Sequence, residues 1–222
     1  MARRLDQDYC LILHASREEH VTELREGNYV LAADLSDPDA LKDFCKRLKA
    51  EHGDDLYAVI NNAGVAIDKP LIYQPERDID HMMQVNLKAP IIITKAVIKL
   101  FGAKGKGVII NVSSCVATTG NAYQSVYAAT KAGLISFSRS MAKEVSLIYE
   151  GSQIRVLSIA PGFIETAMTA AIPDKEKVKY LEMIPSGRFG KPEDIAETVA
   201  FLLSERSAYI NGSSIDINGG LF

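Results

Sequence analysis

The sequence is short of the residues that build metal and disulfide sites. Its three cysteines, Cys10, Cys45 and Cys115, are scattered and odd in number. That excludes a disulfide framework and reads as free thiols in a reducing cytoplasm. Four histidines, His14, His20, His52 and His81, show no ligand spacing, so no metal site is expected. The most apolar region, residues 90–101, is interrupted by Lys95 and Lys99 and is too short to span a bilayer. The opening residues MARRLDQD lack the apolar run of a secretory leader, so the expectation is a cytoplasmic protein. Neither sign of charge dominates: 25 basic residues face 28 acidic ones, a net of −3. This gives no electrostatic case for nucleic acid or an anionic membrane as partner. Repeats, low-complexity tracts and composition breaks are also missing, and residues 1–222 are read as one domain.

What is present is a regular alternation. With 222 residues, 47% of them apolar, the chain can bury one substantial core. Residues 9–14 (YCLILH) and 29–33 read as strands, with a charged, helix-compatible stretch at 17–25 between them. Ser36 or Asp37 can cap a helix with Pro38 in its first turn. That helix, ending at Gly53, would put Leu41, Phe44, Cys45 and Leu48 on one face. Residues 56–61 make a third strand, and 75–101 a long helical region. The pattern continues with a strand at 107–112, a helix at 126–149, a strand at 153–160, a helix from 191 to 203 and a strand at 214–217. Alternating helices and near-continuous apolar strands predict a doubly wound parallel sheet, Rossmann-like, with helices on both faces in three α/β/α layers. Ligands in such folds sit at the carboxyl ends of the strands. Asp34, residues 61–64, Ser114 and Pro161-Gly162 all fall there.

Residues 111–131 (NVSSCVATTGNAYQSVYAATK) organise the chain. Tyr127 and Lys131 are four apart, so on a helix they share a face. Ser114 ends the preceding strand, where its hydroxyl can reach that face. A free tyrosine titrates near ~10, and a neighbouring cation or hydroxyl donor favours its ionised form, which suits acid–base work. With nine tyrosines in the chain, one Tyr-x-x-x-Lys pair also arises easily by chance on a solvated helix surface.

Several short motifs in order extend this. They are NNAG at 61–64, Asn86 within VNL, Ser114, Tyr127 with Lys131, PGFIET at 161–166, GRFGKPEDIA at 187–196 and a final NGG. With these the chain resembles the short-chain dehydrogenase/reductase family over nearly its whole length, and within it the 3-oxoacyl-(acyl carrier protein) reductases. The resemblance implies reduction of a carbonyl by hydride from a nicotinamide. Tyr127 would be the general acid and Ser114 would hold the carbonyl oxygen. Lys131 would bind the nicotinamide ribose and lower the tyrosine pKa, and Asn86 would anchor a water relaying protons to it. Asn61, Ala63 and Gly64 would touch the adenosine half and Asp34 the adenine edge. Pro161, Gly162, Ile164 and Thr166 would line the carboxamide. Arg17, with no acidic residue ending the first strand, favours NADP(H) over NAD(H). Plainer roles exist for some: Asn86 as a helix kink, residues 61–64 as a tight turn, Asp34 as a helix-entry cap.

The resemblance also marks departures. The family opens with a strand and a glycine-rich turn for the pyrophosphate, and this chain starts beyond them, in effect N-terminally truncated. The strand without a counterpart would be central, between 9–14 and 56–61. A misassigned start, a natural short form serving as a structural subunit, or a sheet rearranged to close the gap are all consistent with that. Weak NADPH binding is the expectation. Lys104 and Lys106 offer a basic lip for an acidic carrier, whereas residues 147–152 lack the basic residue often found there. Residues 164–184 read as a lid that selects the substrate: a 3-oxoacyl thioester, possibly on acyl carrier protein, or another ketone or secondary alcohol. Helices at 82–101 and 126–149 would pair across a twofold axis, giving a homotetramer or homodimer.

Overall fold

Asp37 starts the first long helix. Its carboxylate accepts from the N–H groups of Asp39 (2.8 Å) and Ala40 (3.4 Å), filling two of the donors a helix N-terminus leaves open. The computed structural model describes residues 1–21, 26–166, 169 and 174–222. A single helical turn, α1 (Ala2–Leu5), precedes strands β1 (Ile12–Ala15) and β2 (Tyr29–Ala32). Helix α2 (Pro38–His52) buries Leu41, Phe44, Cys45 and Leu48, the face its periodicity predicts. Strand β3 (Ala58–Asn61) follows, then α3 (Glu76–Met83), a π turn (Gln84–Lys88) and α4 (Ala89–Lys104). The rest is β4 (Lys106–Val112), α5 (Val116–Thr119), α6 (Ser125–Ile148), β5 (Gln153–Pro161), α7 (Asp174–Met183), α8 (Pro192–Leu203) and β6 (Ser214–Ile217).

Three boundaries differ from the sequence reading for local reasons. Tyr9 belongs to the turn closing α1, since its N–H donates to Leu5 O, and β1 starts later. Leu56 likewise donates to His52 O at the end of α2, which delays β3. The region 75–101 is not one helix, because the π turn interrupts it. Of the helix-compatible stretch at 17–25, Glu18–His20 form one 3-10 turn, and residues 22–25 lie outside the described residues.

All pairings are parallel, and β4 and β5 run in register from Lys106 opposite Gln153 to Val112 opposite Ile159. The period-2 alternation of β4 sends Val108, Ile110 and Val112 into one apolar cluster with Leu157, Ile159 and α8. Ile109, Ile154 and Val156 enter the other, with α2, α4 and α6. Helices thus cover both faces, and the three-layer α/β/α architecture holds. The sheet itself is divided. β1 pairs with β2 alone, and the order β3-β4-β5-β6 forms a second sheet. The strands do not rearrange to close the interval between β1 and β3; a cavity of about 390 Å³ lies there.

Candidate active site

The apolar strand β4 ends in Ser113 and Ser114, and the chain then turns through α5 and a loop into α6. Two contacts lock this path. Ser113 Oγ donates to Lys131 O at 2.7 Å, and Cys115 N donates to Pro161 O at 2.9 Å, tying the turn to the end of β5. The loop before α6 is held from the other side: Lys69 N donates to Tyr123 O at 3.0 Å, and Gln124 Nε2 to the Asp68 carboxylate at 2.8 Å. Tyr123 takes a φ of 69°, the one left-handed conformation among the described non-glycine residues. Such a conformation persists only where the surroundings impose it. Ser114 and Tyr127 thereby meet at the strand end, with Lys131 one turn further along α6.

Lys131 is nearly fully buried, and its ammonium donates to Val112 O at 2.8 Å. It sits 5.7 Å from the Tyr127 ring centre. Burial lowers its pKa from 10.5 to about 8. Tyr127 moves the other way from the expectation that Lys131 depresses it. Burial pushes the phenol above its ordinary value, and only the Ser114 hydroxyl opposes that. The phenol, like any tyrosine at neutral pH, is protonated and able to give a proton.

The lysine makes a testable contribution to stability. Its folded pKa lies below its unfolded one, so between pH 8 and 10.5 the unfolded chain binds more protons and stability rises with pH. Below pH 8 the cost of the buried charge is fully present. Compared with Lys131→Met, the parent protein is therefore expected to gain roughly 3 kcal/mol across this window, read from urea unfolding at several pH values. Parallel stability curves for the two proteins would refute it.

Asn86 lies in the π turn and is fully buried. Its Oδ1 accepts from Val65 N, and its Nδ2 donates to Val65 O, both at 2.8 Å, and to Thr130 Oγ1 at 3.2 Å. It fastens the chain after NNAG to α6. π turns commonly mark functional sites, but nothing in the local sequence announces this one. At Gly64 a Cβ would stand 3.2 Å from Lys131 Nζ and 3.5 Å from Asn86 Oδ1, so the glycine lets the backbone close on the lysine. Asn61 points inward: its Nδ2 donates to Asn111 Oδ1 (2.7 Å), whose own amide donates to Ser138 Oγ (2.8 Å). The sequence reading missed Asn111 and Ser138, although a polar residue inside the run GVIINV is the signal that reveals them. Ala63 packs on the core.

Other candidates sit at the strand ends with local partners. Exposed Asp34 accepts from Ser36 N (2.9 Å) and Ser36 Oγ (2.7 Å), which holds its carboxyl below the usual range. Asp37, not Ser36, caps the helix. Arg17 is exposed and pairs loosely with Glu19 at 3.5 Å. Pro161 ends β5, and Gly162 N donates to Ile217 O at 2.9 Å. A Cβ on Gly162 would come within 2.8 Å of Asn218 Cα. Ile164 bridges to Gly190, and Thr166 N donates to Thr169 Oγ1 at 2.9 Å. Of the expected lid at 164–184, residues 167, 168 and 170–173 lie outside the described residues. Next to them Tyr180 of α7 stacks on Phe163, ring centres 4.2 Å apart.

One expectation about a carrier, the basic lip of Lys104 and Lys106, is corrected. Lys104 donates to Leu56 O at 2.9 Å, so it lies at the amino ends of the strands, away from Ser114, and neighbouring Lys106 opens β4 at that same end. Residues 147–152 follow the far end of α6, about 30 Å along the helix from Tyr127 at 1.5 Å per residue. Neither position can form a lip over the site.

The site fits one end of a nicotinamide cofactor. Lys131 has one hydrogen-bond partner among the described residues, which leaves donors of a buried ammonium for ribose hydroxyls, and Gly64 keeps the approach open. The pyrophosphate end shows no such cradle among the described residues. Among the described residues no helix opens behind a glycine-rich turn, and the turn after β1 carries Glu18 and Glu19.

A parallel sheet with a serine at one strand end and Tyr-x-x-x-Lys on the helix behind it defines a class of nicotinamide-linked oxidoreductases. The chain belongs to the short-chain dehydrogenase/reductase family. Residues 6–222 match the family model described as enoyl-(acyl carrier protein) reductase. Among curated proteins it is similar to the 3-oxoacyl-(acyl-carrier-protein) reductase of Thermotoga maritima, 41% identical over 193 residues, 87% of this chain and 76% of the relative. The corresponding reductase of Escherichia coli is 38% identical over 192 residues, 86% and 77% of the two chains. The (3R)-3-hydroxyacyl-CoA dehydrogenase of Rattus norvegicus is 40% identical over 201 residues, 90% and 76%. Among the described residues no helix is long and apolar enough to cross a membrane.

Proposed function

We propose that the chain reduces 3-oxoacyl thioesters to 3-hydroxyacyl thioesters with NADPH. The observation that supports this reading is the meeting of the Tyr127 phenol with the Ser114 hydroxyl at the end of β4, with the buried Lys131 ammonium 5.7 Å from the ring. Ser114 donates a hydrogen bond to the substrate carbonyl oxygen and holds it against the phenol. Tyr127 gives that oxygen its proton as the carbonyl carbon is reduced. A bound nicotinamide supplies the hydride. Lys131 orients the ribose through the donors that Val112 O leaves unused, and Asn86 keeps residues 64–65 against the lysine. Asn61, Ala63 and Gly64 at the end of β3, with Asp34 at the end of β2, receive the adenosine half. Pro161, Gly162, Ile164 and Thr166 border the carboxamide. Arg17 favours a 2′-phosphate and hence NADP(H) over NAD(H).

The substrate class rests on relatives named for acyl carrier protein and for acyl-CoA. A homotetramer in the cytoplasm, where its three free thiols stay reduced, completes the reading. Acetoacetyl-CoA is expected to be turned over with NADPH faster than with NADH, followed by the absorbance of the reduced nicotinamide. Turnover of simple secondary alcohols with the thioester inert would overturn the substrate class.

A further inference from the structure

The loop after β3 crosses to the start of α6 and is fastened at both of its ends. Asn86 holds Val65 through two hydrogen bonds of 2.8 Å. Further on, Lys69 N donates to Tyr123 O at 3.0 Å, and Gln124 Nε2 donates to the Asp68 carboxylate at 2.8 Å. That amide is oriented from its other side, since Gln124 Oε1 accepts from Asn121 Nδ2 at 3.0 Å. Gln124 is the N-cap of α6 and stands three residues before Tyr127, so the two share a helix face. Asp68 is thus carried over the face that bears the phenol. After burial, its charge also helps to hold Tyr127 above the ordinary tyrosine pKa. Charge is what this carboxylate adds, because its bond to Gln124 would be made equally by an amide oxygen. Asp68 is exposed, and no cation pairs with it among the described residues. Neighbouring Lys69 is taken by Asp78 at 2.6 Å, and the buried Lys131 ammonium is turned to Val112 O.

We propose that Asp68 is a specificity-determining residue, whose negative charge beside the cleft admits 3-oxoacyl groups with a neutral thioester at C1 and turns away 3-oxo acids with a free carboxylate there. The proposal rests on the reductase reading, in which the C3 carbonyl oxygen lies between Ser114 and Tyr127. C1 is two bonds from that carbonyl carbon in either compound. The acid and the thioester therefore differ in the charge they bring to one place, and hardly in shape. Like charges several ångströms apart at a protein surface repel strongly enough to change a rate by about five- to tenfold. The thioester meets no such repulsion. Discrimination of this kind works by an element set against the wrong substrate, with no added contact to the right one. A lysine or arginine at the same position would reverse the preference and collect acids.

The test compares acetoacetate with its N-acetylcysteamine thioester, which is uncharged, using the full chain and NADPH. Asp68→Asn keeps an acceptor for Gln124 and removes only the charge. It is expected to raise kcat/KM for acetoacetate, relative to that for the thioester, by about five- to tenfold. Asp68→Glu retains the charge and should retain the parental ratio. Added salt should lift the parent's ratio towards that of Asp68→Asn, because it screens the exposed carboxylate. A merely structural role for Asp68 would change both substrates together and leave the ratio where it was. Turnover of the thioester with a ratio that neither Asp68→Asn nor salt moves would overturn the proposal and leave the reductase reading standing. Inertness towards both compounds in the parent and both variants would overturn that reading, and this proposal with it.

Discussion

Tyr127→Phe is expected to lower kcat for thioester reduction by a factor of about 10² to 10⁴, the usual loss for a positioned general acid. The change removes one oxygen from a half-buried ring on α6 and keeps its packing, so stability should shift by no more than about 0.5 kcal/mol. KM should change little, because Ser114 still meets the carbonyl and Lys131 still faces Gly64. That combination separates a lost proton donor from a damaged fold, which would move all three quantities. A phenylalanine variant retaining most of the parental kcat would show that the proton comes from elsewhere.

Arg155→Met is expected to destabilise the protein by about 1 to 3 kcal/mol in urea unfolding, the cost of lost hydrogen bonds in a buried site. Arg155 sits on β5 facing α8 and is only 7% exposed. Its guanidinium meets no carboxylate among the described residues. Instead it donates to Leu202 O (2.8 Å), Ser207 O and Ser207 Oγ (both 3.2 Å), and more weakly to Ser204 O and Ile210 O (both 3.5 Å). Several of these are the carbonyls a helix C-terminus leaves open, where a cation is also favoured by the helix dipole. Methionine fills the space but removes these bonds; Ser207 Oγ still reaches Leu202 O and Ser204 O, and Ile210 N still reaches Ser207 O, so the loss is partial. Arg155→Lys should recover only part of the loss, since one ammonium cannot serve so divergent a set. A loss below about 1 kcal/mol for the methionine variant would mean that water replaces the guanidinium.

The architecture was legible because its signals are local and repetitive. Asp37, Pro38 and the apolar spacing of Leu41, Phe44, Cys45 and Leu48 sufficed for α2. The apolar runs at β4 and β5 announced strands covered on both faces. Ser114, Tyr127 and Lys131 could be brought together from spacing alone, and the structure does so. What escaped depends on partners distant in the chain. The direction of the Tyr127 shift follows from its burial, which neighbours distant in the chain impose. Asn61 reads as a surface turn residue until Asn111 and Ser138 are seen beneath it. Arg155 looks like an ordinary strand charge, and only the arrival of residues 202–210 over it makes it structural. The π turn at Gln84–Lys88 carries Asn86, bonded to Val65, a long-range contact that periodicity cannot register.

The division of the sheet also sets how the molecule comes apart. Two strands alone are marginal in water, and β1 and β2 reach the rest chiefly through α2, with His14 set edge-on to Phe44 at 5.3 Å and Tyr29 against His52 at 4.7 Å. This piece should open as a cooperative unit of its own, well below the free energy needed to unfold β4 and β5. Arg17 and Asp34, which would distinguish one dinucleotide from another, both ride on it. On the proposed reading, discrimination would reside in the least stable part of the molecule and catalysis in the most stable. Mild denaturant should blur the choice between dinucleotides before it touches the geometry of Ser114, Tyr127 and Lys131.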